Sequence, residues 1–254
     1  MKKIKVAVLG ASGYAGEELL RILLRHPGVE IVAITSRKNA GEPVSAVFPR
    51  FTGAPLHFVA PDAAELAKKC DAAILALPHG LATEYAIPLL NAGVKVFDIS
   101  ADFRLKSAAK YKEYYKVDHP APELLAKAVY GLPELHGTRA ALPAAARVAV
   151  PGCHATGFIA PVAPLVERGL IPKAAHLSVT SLTGCKKMIA EYEGERVNTA
   201  LNAPRPYGLA LHHKHLPEMT AVTGLDTAPN FVPIVADYYA GMETMIPLDL
   251  AALG

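Results

Sequence analysis

The feature that most restricts the fold is the stretch KIKVAVLGASGYAGEELLRILLRHPG, residues 3–28. Its apolar, β-branched start reads as a strand. Leu19, Leu20, Ile22, Leu23 and Leu24 then recur with helical periodicity, and Pro27 and Gly28 end that helix. The turn between them carries Gly10, Gly13 and Gly16, spaced G-x-x-G-x-x-G, with Ser12 and Tyr14 between the glycines. Small residues there let the backbone approach a pyrophosphate at a helix N-terminus, where free N–H groups and the helix dipole favour negative charge. A second strand, VEIVAIT, follows at the right distance, so the turn reads as a dinucleotide fingerprint rather than a chance glycine triplet.

The end of that second strand separates the two common dinucleotides. An acidic residue there would bind a ribose 2′-hydroxyl. The chain instead reads TSRKNAG, with Ser36, Arg37 and Lys38, and a hydroxyl with two cations suits a 2′-phosphate, hence NADP(H). A solvated basic loop is the plainer alternative. Further strands, CDAAILALPHG and GVKVFDIS, alternate with helical segments such as PDAAELAKKC and LATEYAIPLLNAG. This order predicts an α/β fold with a Rossmann-type, doubly wound parallel sheet over residues 1–150. Ligands of such sheets bind beyond the carboxyl ends of the strands, which makes Pro78 and His79 cofactor candidates and Arg104 a substrate candidate. Asp102 with Arg104 also reads as a structural ion pair.

Composition sets limits rather than a function. The 254 residues are 52% hydrophobic and 19% charged, with a formal charge of +3 and no block of like charge. That balance suits an anionic small molecule and gives no footprint for nucleic acid. MKKIKV opens with lysines, but the apolar run that follows is only about five residues, too short for a signal peptide. No run approaches the roughly 20 apolar residues of a membrane span. The three cysteines, Cys70, Cys153 and Cys185, lack metal-like spacing, and a reduced cytoplasmic setting is expected.

From about Pro151 the texture changes, and residues 151–254 read as a second, catalytic domain. VAVPGCHATG leads into ATGFIAPVAPLVERG, helix-like although Pro161 and Pro164 are expected to kink or shorten it. Cys153 then sits at or just before a helix N-terminus, a place that favours a thiolate. Downstream, LHHKHLPEM offers His212, His213, Lys214, His215 and Glu218. Histidine is the acid/base of choice near neutral pH, and a neighbour could hold an anionic substrate. Metal binding is the poorest reading, since no H-x-x-x-H or C-x-x-C pattern occurs. A nicotinamide site, a nucleophilic cysteine and a histidine together specify hydride transfer to or from a cysteine-bound acyl group, with backbone N–H groups after Cys153 as oxyanion donors.

At these residues the chain resembles the N-acetyl-γ-glutamyl-phosphate reductase family. The resemblance rests on GASGYAGEELLR, LALPHG, DISADFRL, AVYGLPEL, VPGCHATG and HKHLPEM, in the family's order along nearly the whole chain. It implies a second domain of α+β, glyceraldehyde-3-phosphate-dehydrogenase-like type, NADPH in the first domain, Cys153 as nucleophile and His213 as acid/base. Arg104, His154, His215 and Glu218 are then the substrate contacts, and the protein is a cytoplasmic homo-oligomer of arginine biosynthesis. Two departures stand out. SLTGCKKMIAEYE is shorter than its counterpart, with Cys185 incidental, and family members run on past METMIPLDLAALG into further sheet and a helix, so exposed apolar surface is expected here. The alternatives are an aminoadipyl-phosphate or aspartyl-phosphate reductase, and a non-catalytic NADP-binding protein.

Overall fold

The computed structural model describes residues 2–184, 203–236, 238, 240–249 and 251. Cys185 and the lysines that follow it lie outside the described residues. The chain divides into two compact units: Met1–Ala108, His119–Gly131 and Ala140–Val150 form the first, and Ala109–Asp118, Leu132–Arg139 and Pro151–Gly254 the second. Two short segments from before residue 150 thus group with the second unit. One of them is anchored there by Tyr114, whose ring stacks on His212 with centroids 4.5 Å apart.

In chain order the first unit runs β1 (Ile4–Leu9), α1 (Tyr14–Leu23), β2 (Val29–Thr35), α2 (Val44–Val47), β3 (Phe58–Val59), α3 (Ala63–Ala67), β4 (Ala72–Leu75), α4 (Ala82–Asn91) and β5 (Lys95–Asp98). After α5 (Ala108–Tyr115), which from Ala109 on groups with the second unit, come β6 (Val129–Tyr130), α6 (Thr138–Ala141), which straddles the two, and β7 (Arg147–Ala149). The strands form one seven-stranded sheet in the order β3-β2-β1-β4-β5-β7-β6, every pairing parallel. Both faces are packed, which is why β1 is apolar without a break from Val6 to Leu9. Ala7 and Leu9 join the core shared with α3 and α4, whereas Val6 and Val8 join the one holding Leu20, Ile34 and Phe58. Strand order reverses beside β1, between β2 and β4, and this switch point opens the crevice where such sheets bind ligands. Near the amino ends of β1, β4 and β5 a cleft of about 600 Å³ remains, lined by Ile4, Val6, Leu23, Val29, Ile74 and Phe97 with Lys2, Lys3 and Lys95.

The second unit contains α7 (Cys153–Glu167), β8 (Ser178–Gly184), β9 (Arg205–Pro206), α8 (Leu216–Thr223), β10 (Asn230–Ala236) and β11 (Gly241–Met245). Its mixed sheet has the order β11-β8-β10-β9, with β8 and β10 parallel and the outer pairings antiparallel. Val179, Ser181 and Thr183 of β8 and Phe231 and Pro233 of β10 alternate inward, the period of a half-buried strand. α7 packs on α8, β8 and β11. It keeps all fifteen residues through Pro161 and Pro164, so the expected shortening does not occur. Burial of Phe158, Ile159, Val162, Ala163 and Val166 outweighs the backbone cost of the prolines.

Candidate functional site

In the first unit the fingerprint turn leaves β1 at Gly10, with φ +75°, where a Cβ would stand 2.3 Å from the Ala76 carbonyl oxygen. No other residue fits there without moving β4. A Cβ on Gly16 would meet the Ala11 carbonyl oxygen at 2.4 Å, so this glycine lets α1 pack against its own turn. Gly13 differs: the nearest atom to its Cβ position is the Gly10 carbonyl oxygen at 3.6 Å, an ordinary contact. It is the N-cap of α1, with no side chain capping the helix. A bare helix N-terminus beside a position the fold itself does not require to be glycine fits a pyrophosphate.

The loop after β2 is organised around Ser36. Its hydroxyl accepts from Ser12 Oγ at 2.9 Å and from the Asn39 N–H at 3.1 Å. Gly10 N–H donates to Thr35 Oγ1, and Ala11 N–H to the Thr35 carbonyl, which ties the two turns together. Arg37 and Lys38 are exposed, and Arg37 Nη2 donates to Tyr85 Oη at 2.7 Å. A small cleft of about 150 Å³ is bounded by Gly10, Thr35, Ser36, Arg37, Pro78 and Tyr85, with Leu77 and Leu81. The sequence reading missed Tyr85 and Thr35. Tyr85 looked like one more apolar residue of an amphipathic helix, and nothing in its spacing marks the hydroxyl.

Beyond β4 and β5 the loops are locked by buried polar groups. Asp102, 0% exposed, accepts from the Gly80 N–H at 2.8 Å and the Ala82 N–H at 3.2 Å. It thereby fixes the loop holding Pro78 and His79, both exposed. Its own N–H donates to Ser100 Oγ, which donates on to buried Asp98 at 2.8 Å. Burial pushes the Asp98 carboxyl up to about 6, with nearby Asp102 adding to the rise. His119 Nδ1 accepts from the Ala121 N–H, so the proton of the neutral ring lies on Nε2, which donates to the Asp102 carbonyl. Arg104 donates to the backbone carbonyls of Val150 and Ile99, at 2.8 and 2.7 Å. Its planar fork bridges the ends of two strands.

In the second unit, Cys153 is the first residue of α7 and is exposed. Its position places the sulfur at the positive pole of a fifteen-residue helix. The preceding residue is held from several sides. The Gly152 N–H donates to Glu218 Oε2 at 3.0 Å, and its carbonyl accepts from Thr156 N–H and Oγ1. A Cβ on Gly152 would lie 2.4 Å from His215 Nε2, so the imidazole packs directly on this backbone. The structure therefore puts Glu218 and His215, both buried, against the loop that presents Cys153.

Three histidine rings gather here: His213 lies 4.7 Å from His215 and 5.9 Å from His154, centroid to centroid. Phe231 packs on His154 and His213. His154, 2% exposed, bonds Ser181 Oγ through Nδ1 and Tyr207 Oη through Nε2. Burial lowers its pKa to about 4. His213 is lowered to about 4 by burial and then by His154 and Lys214. Its Nδ1 accepts from the His215 N–H at 3.1 Å, so the neutral ring carries its proton on Nε2. Ser181, Tyr207 and Phe231 were not legible as site residues: Ser181 lies 27 and Tyr207 53 positions from the His154 they bond, and no local pattern marks any of the three. Among the described residues no group of three or more histidine, cysteine or acidic side chains is placed to hold a metal. No described helix is long and apolar enough to cross a membrane.

Residues 5–142 match the semialdehyde dehydrogenase NAD-binding domain, and residues 153–253 match the semialdehyde dehydrogenase dimerisation domain. The chain is 45% identical over 217 residues to a [LysW]-L-2-aminoadipate/[LysW]-L-glutamate phosphate reductase of Saccharolobus solfataricus, covering 85% of this chain and 61% of the relative. It is 40% identical over 252 residues to an N-acetyl-gamma-glutamyl-phosphate reductase of Laribacter hongkongensis, covering 96% and 71%. The chain thus spans 61% to 71% of the length of these curated relatives. Among solved structures, aspartate semialdehyde dehydrogenase II of Vibrio cholerae shares the fold with a TM-score of 0.71 at 16% identity, over 99% of this chain and 78% of that one. The chain belongs to the semialdehyde dehydrogenase family.

Proposed function

We propose that the protein is an NADPH-dependent reductase of N-acetyl-γ-glutamyl phosphate, forming the semialdehyde and phosphate. The observation that carries this reading is the exposed Cys153 thiol at the start of α7, on a loop braced by Glu218 and His215. The sulfur attacks the acyl carbon, the carbon–oxygen bond to phosphate breaks, and a thioester remains on Cys153. A bound dinucleotide would supply a hydride to the thioester carbon, and breaking the carbon–sulfur bond then releases the aldehyde and returns the Cys153 thiolate. His213 is the proton-transfer group. Its neutral ring starts with the proton on Nε2 and so begins as a donor toward the developing oxyanion. The bare N-terminus of α1 would hold the pyrophosphate, with Ser12, Gly13 and Tyr14 in its first contacts and Ser36, Arg37 and Lys38 at the ribose end. The match to a dimerisation domain supports a homo-oligomer. The half-buried outer face of its sheet, with Leu182, Val232 and Ile234, offers the surface for it.

A second reading, reduction of a [LysW]-linked aminoadipyl or glutamyl phosphate, is favoured by the relative that is 45% identical to this chain over 217 residues. The test is phosphate-dependent NADP reduction with N-acetylglutamate semialdehyde, run beside aspartate semialdehyde and a [LysW]-linked semialdehyde. Cys153→Ser should abolish turnover and leave NADPH binding intact. A chain that binds NADPH but turns over none of the three is a binding protein instead.

A further inference from the structure

Arg37, at the end of β2, is already engaged at the rim of the dinucleotide cleft. Its Nη2 donates to Tyr85 Oη at 2.7 Å and lies 3.5 Å from Glu84 Oε2. The guanidinium carbon stands 6.0 Å from the centroid of the Tyr85 ring. Both partners come from the first turns of α4, Tyr85 being 48 residues from Arg37, and neither belongs to the glycine turn or the basic loop. Tyr85 is buried and lines the same cleft as Gly10, Thr35 and Ser36, whereas Glu84 is exposed.

We propose that Tyr85 and Glu84 set the dinucleotide specificity of this cleft by controlling Arg37. The inference rests on the NADP(H) reading above. Tyr85 is the positioning residue: a neutral phenol oxygen accepts one guanidinium N–H and leaves the others free for a phosphate, which Arg binds as a bidentate partner. Glu84 acts in the opposite sense. Its carboxylate competes with a 2′-phosphate for the same cation, and once the phosphate is bound it faces a like charge. Removing the Tyr85 hydroxyl therefore lowers selectivity for the phosphorylated dinucleotide, and neutralising Glu84 raises it. Neither change alters the recognition of NADH, which presents no 2′-phosphate to Arg37.

The test is the Kd of NADPH and of NADH for the unmodified chain and for Tyr85→Phe, Glu84→Gln and Arg37→Ala, read from nicotinamide fluorescence, with a melting curve for each. Tyr85→Phe should raise the NADPH Kd about fivefold to tenfold, within the range of a typical lost hydrogen bond. Glu84→Gln should lower it about twofold to fivefold, the range of an exposed ion pair. NADH should move less than about twofold in either variant, on the same grounds. Glu84 is exposed, so its variant decides the matter even if Tyr85→Phe loses stability. The proposal is overturned if both variants leave the NADPH/NADH ratio unchanged, or if NADPH and NADH weaken together, which would make Tyr85 only a wall of the cleft. If Arg37→Ala weakens NADPH while the other two variants shift nothing, this inference falls and the NADP(H) reading stands. If the unmodified chain prefers neither dinucleotide and Arg37→Ala changes nothing, both fall.

Discussion

Glu218, on the first turn of α8, accepts the backbone N–H of Gly152 at 3.0 Å, one residue before Cys153. The carboxylate is 1% exposed, so this bond is made away from water. Glu218→Ala would leave the Gly152 N–H buried without its acceptor, at a cost of about 1–3 kcal/mol. Glu218→Gln keeps an oxygen for that N–H and should retain most of the stability. The expected outcome is a lowered melting temperature and slowed iodoacetamide labelling of Cys153 in the alanine variant, with the glutamine variant close to the parent. Equal labelling rates in all three would show that the brace does not govern the thiol's presentation.

Asp102 plays the corresponding part in the first unit, with one carboxylate oxygen on each of two N–H groups, those of Gly80 and Ala82. Hydrogen bonds to a charged group contribute about 1.5–3 kcal/mol each, so Asp102→Ala should lose about 3 kcal/mol or more in a urea melt. Because these bonds shape the loop with Pro78, the variant should also bind NADPH more weakly at a temperature where it is still folded. Loss of stability with unchanged dinucleotide affinity would confine Asp102 to a structural role.

Arg104 separates what could be read in the sequence from what could not. Its place after β5, at the carboxyl edge of the sheet, followed from strand periodicity alone, as did the strand–turn–helix around Gly10 and the helix beginning at Cys153. Those features depend on neighbours a few residues away. The backbone partners of Arg104 and Asp102 did not follow: the Asp102 carboxylate holds the N–H groups of Gly80 and Ala82, and Arg104 reaches the carbonyls of Ile99 and Val150. Backbone carbonyls carry no sequence signature, so no motif could reveal them. The same holds for Glu218 on the Gly152 N–H. The continuity of α7 through two prolines was hidden too, because it depends on packing from distant strands.

The geometry of Arg104 gives its own test. Arg104→Lys keeps the charge but cannot bridge two carbonyls with a planar fork. If Arg104 serves only to tie the strand ends, the variant should lower the melting temperature by several degrees and leave the substrate KM unchanged. A rise in KM of about tenfold at unchanged stability would instead make it a substrate contact, since a lost charge-assisted bond is of that size.

Asp98 and the histidines His154 and His213 should respond to acid in opposite directions. His154 and His213 have pKa values lowered from 6.5 to about 4, chiefly by burial. Between those values the unfolded chain takes up protons that the folded one refuses, so stability of the second unit is full above about pH 6.5 and is lost as pH falls toward 4. The loss reaches about 3 kcal/mol for buried His154 and less for half-buried His213, which water screens. Asp98 in the first unit has the reverse sign. Its carboxyl is raised from 3.8 to about 6, so the folded state holds a proton that the unfolded chain has released, and acidification through that window adds stability. Hydrogen exchange followed by mass spectrometry from pH 7 to 4.5, corrected for intrinsic rates, should show α7, α8 and β8 losing protection while β4 and β5 hold or gain it. His154→Gln cannot take up a proton and should flatten the acid loss in the second unit while leaving β4 and β5 as they are. Parallel loss in both units, unaffected by that substitution, would assign the acid response to groups other than these three.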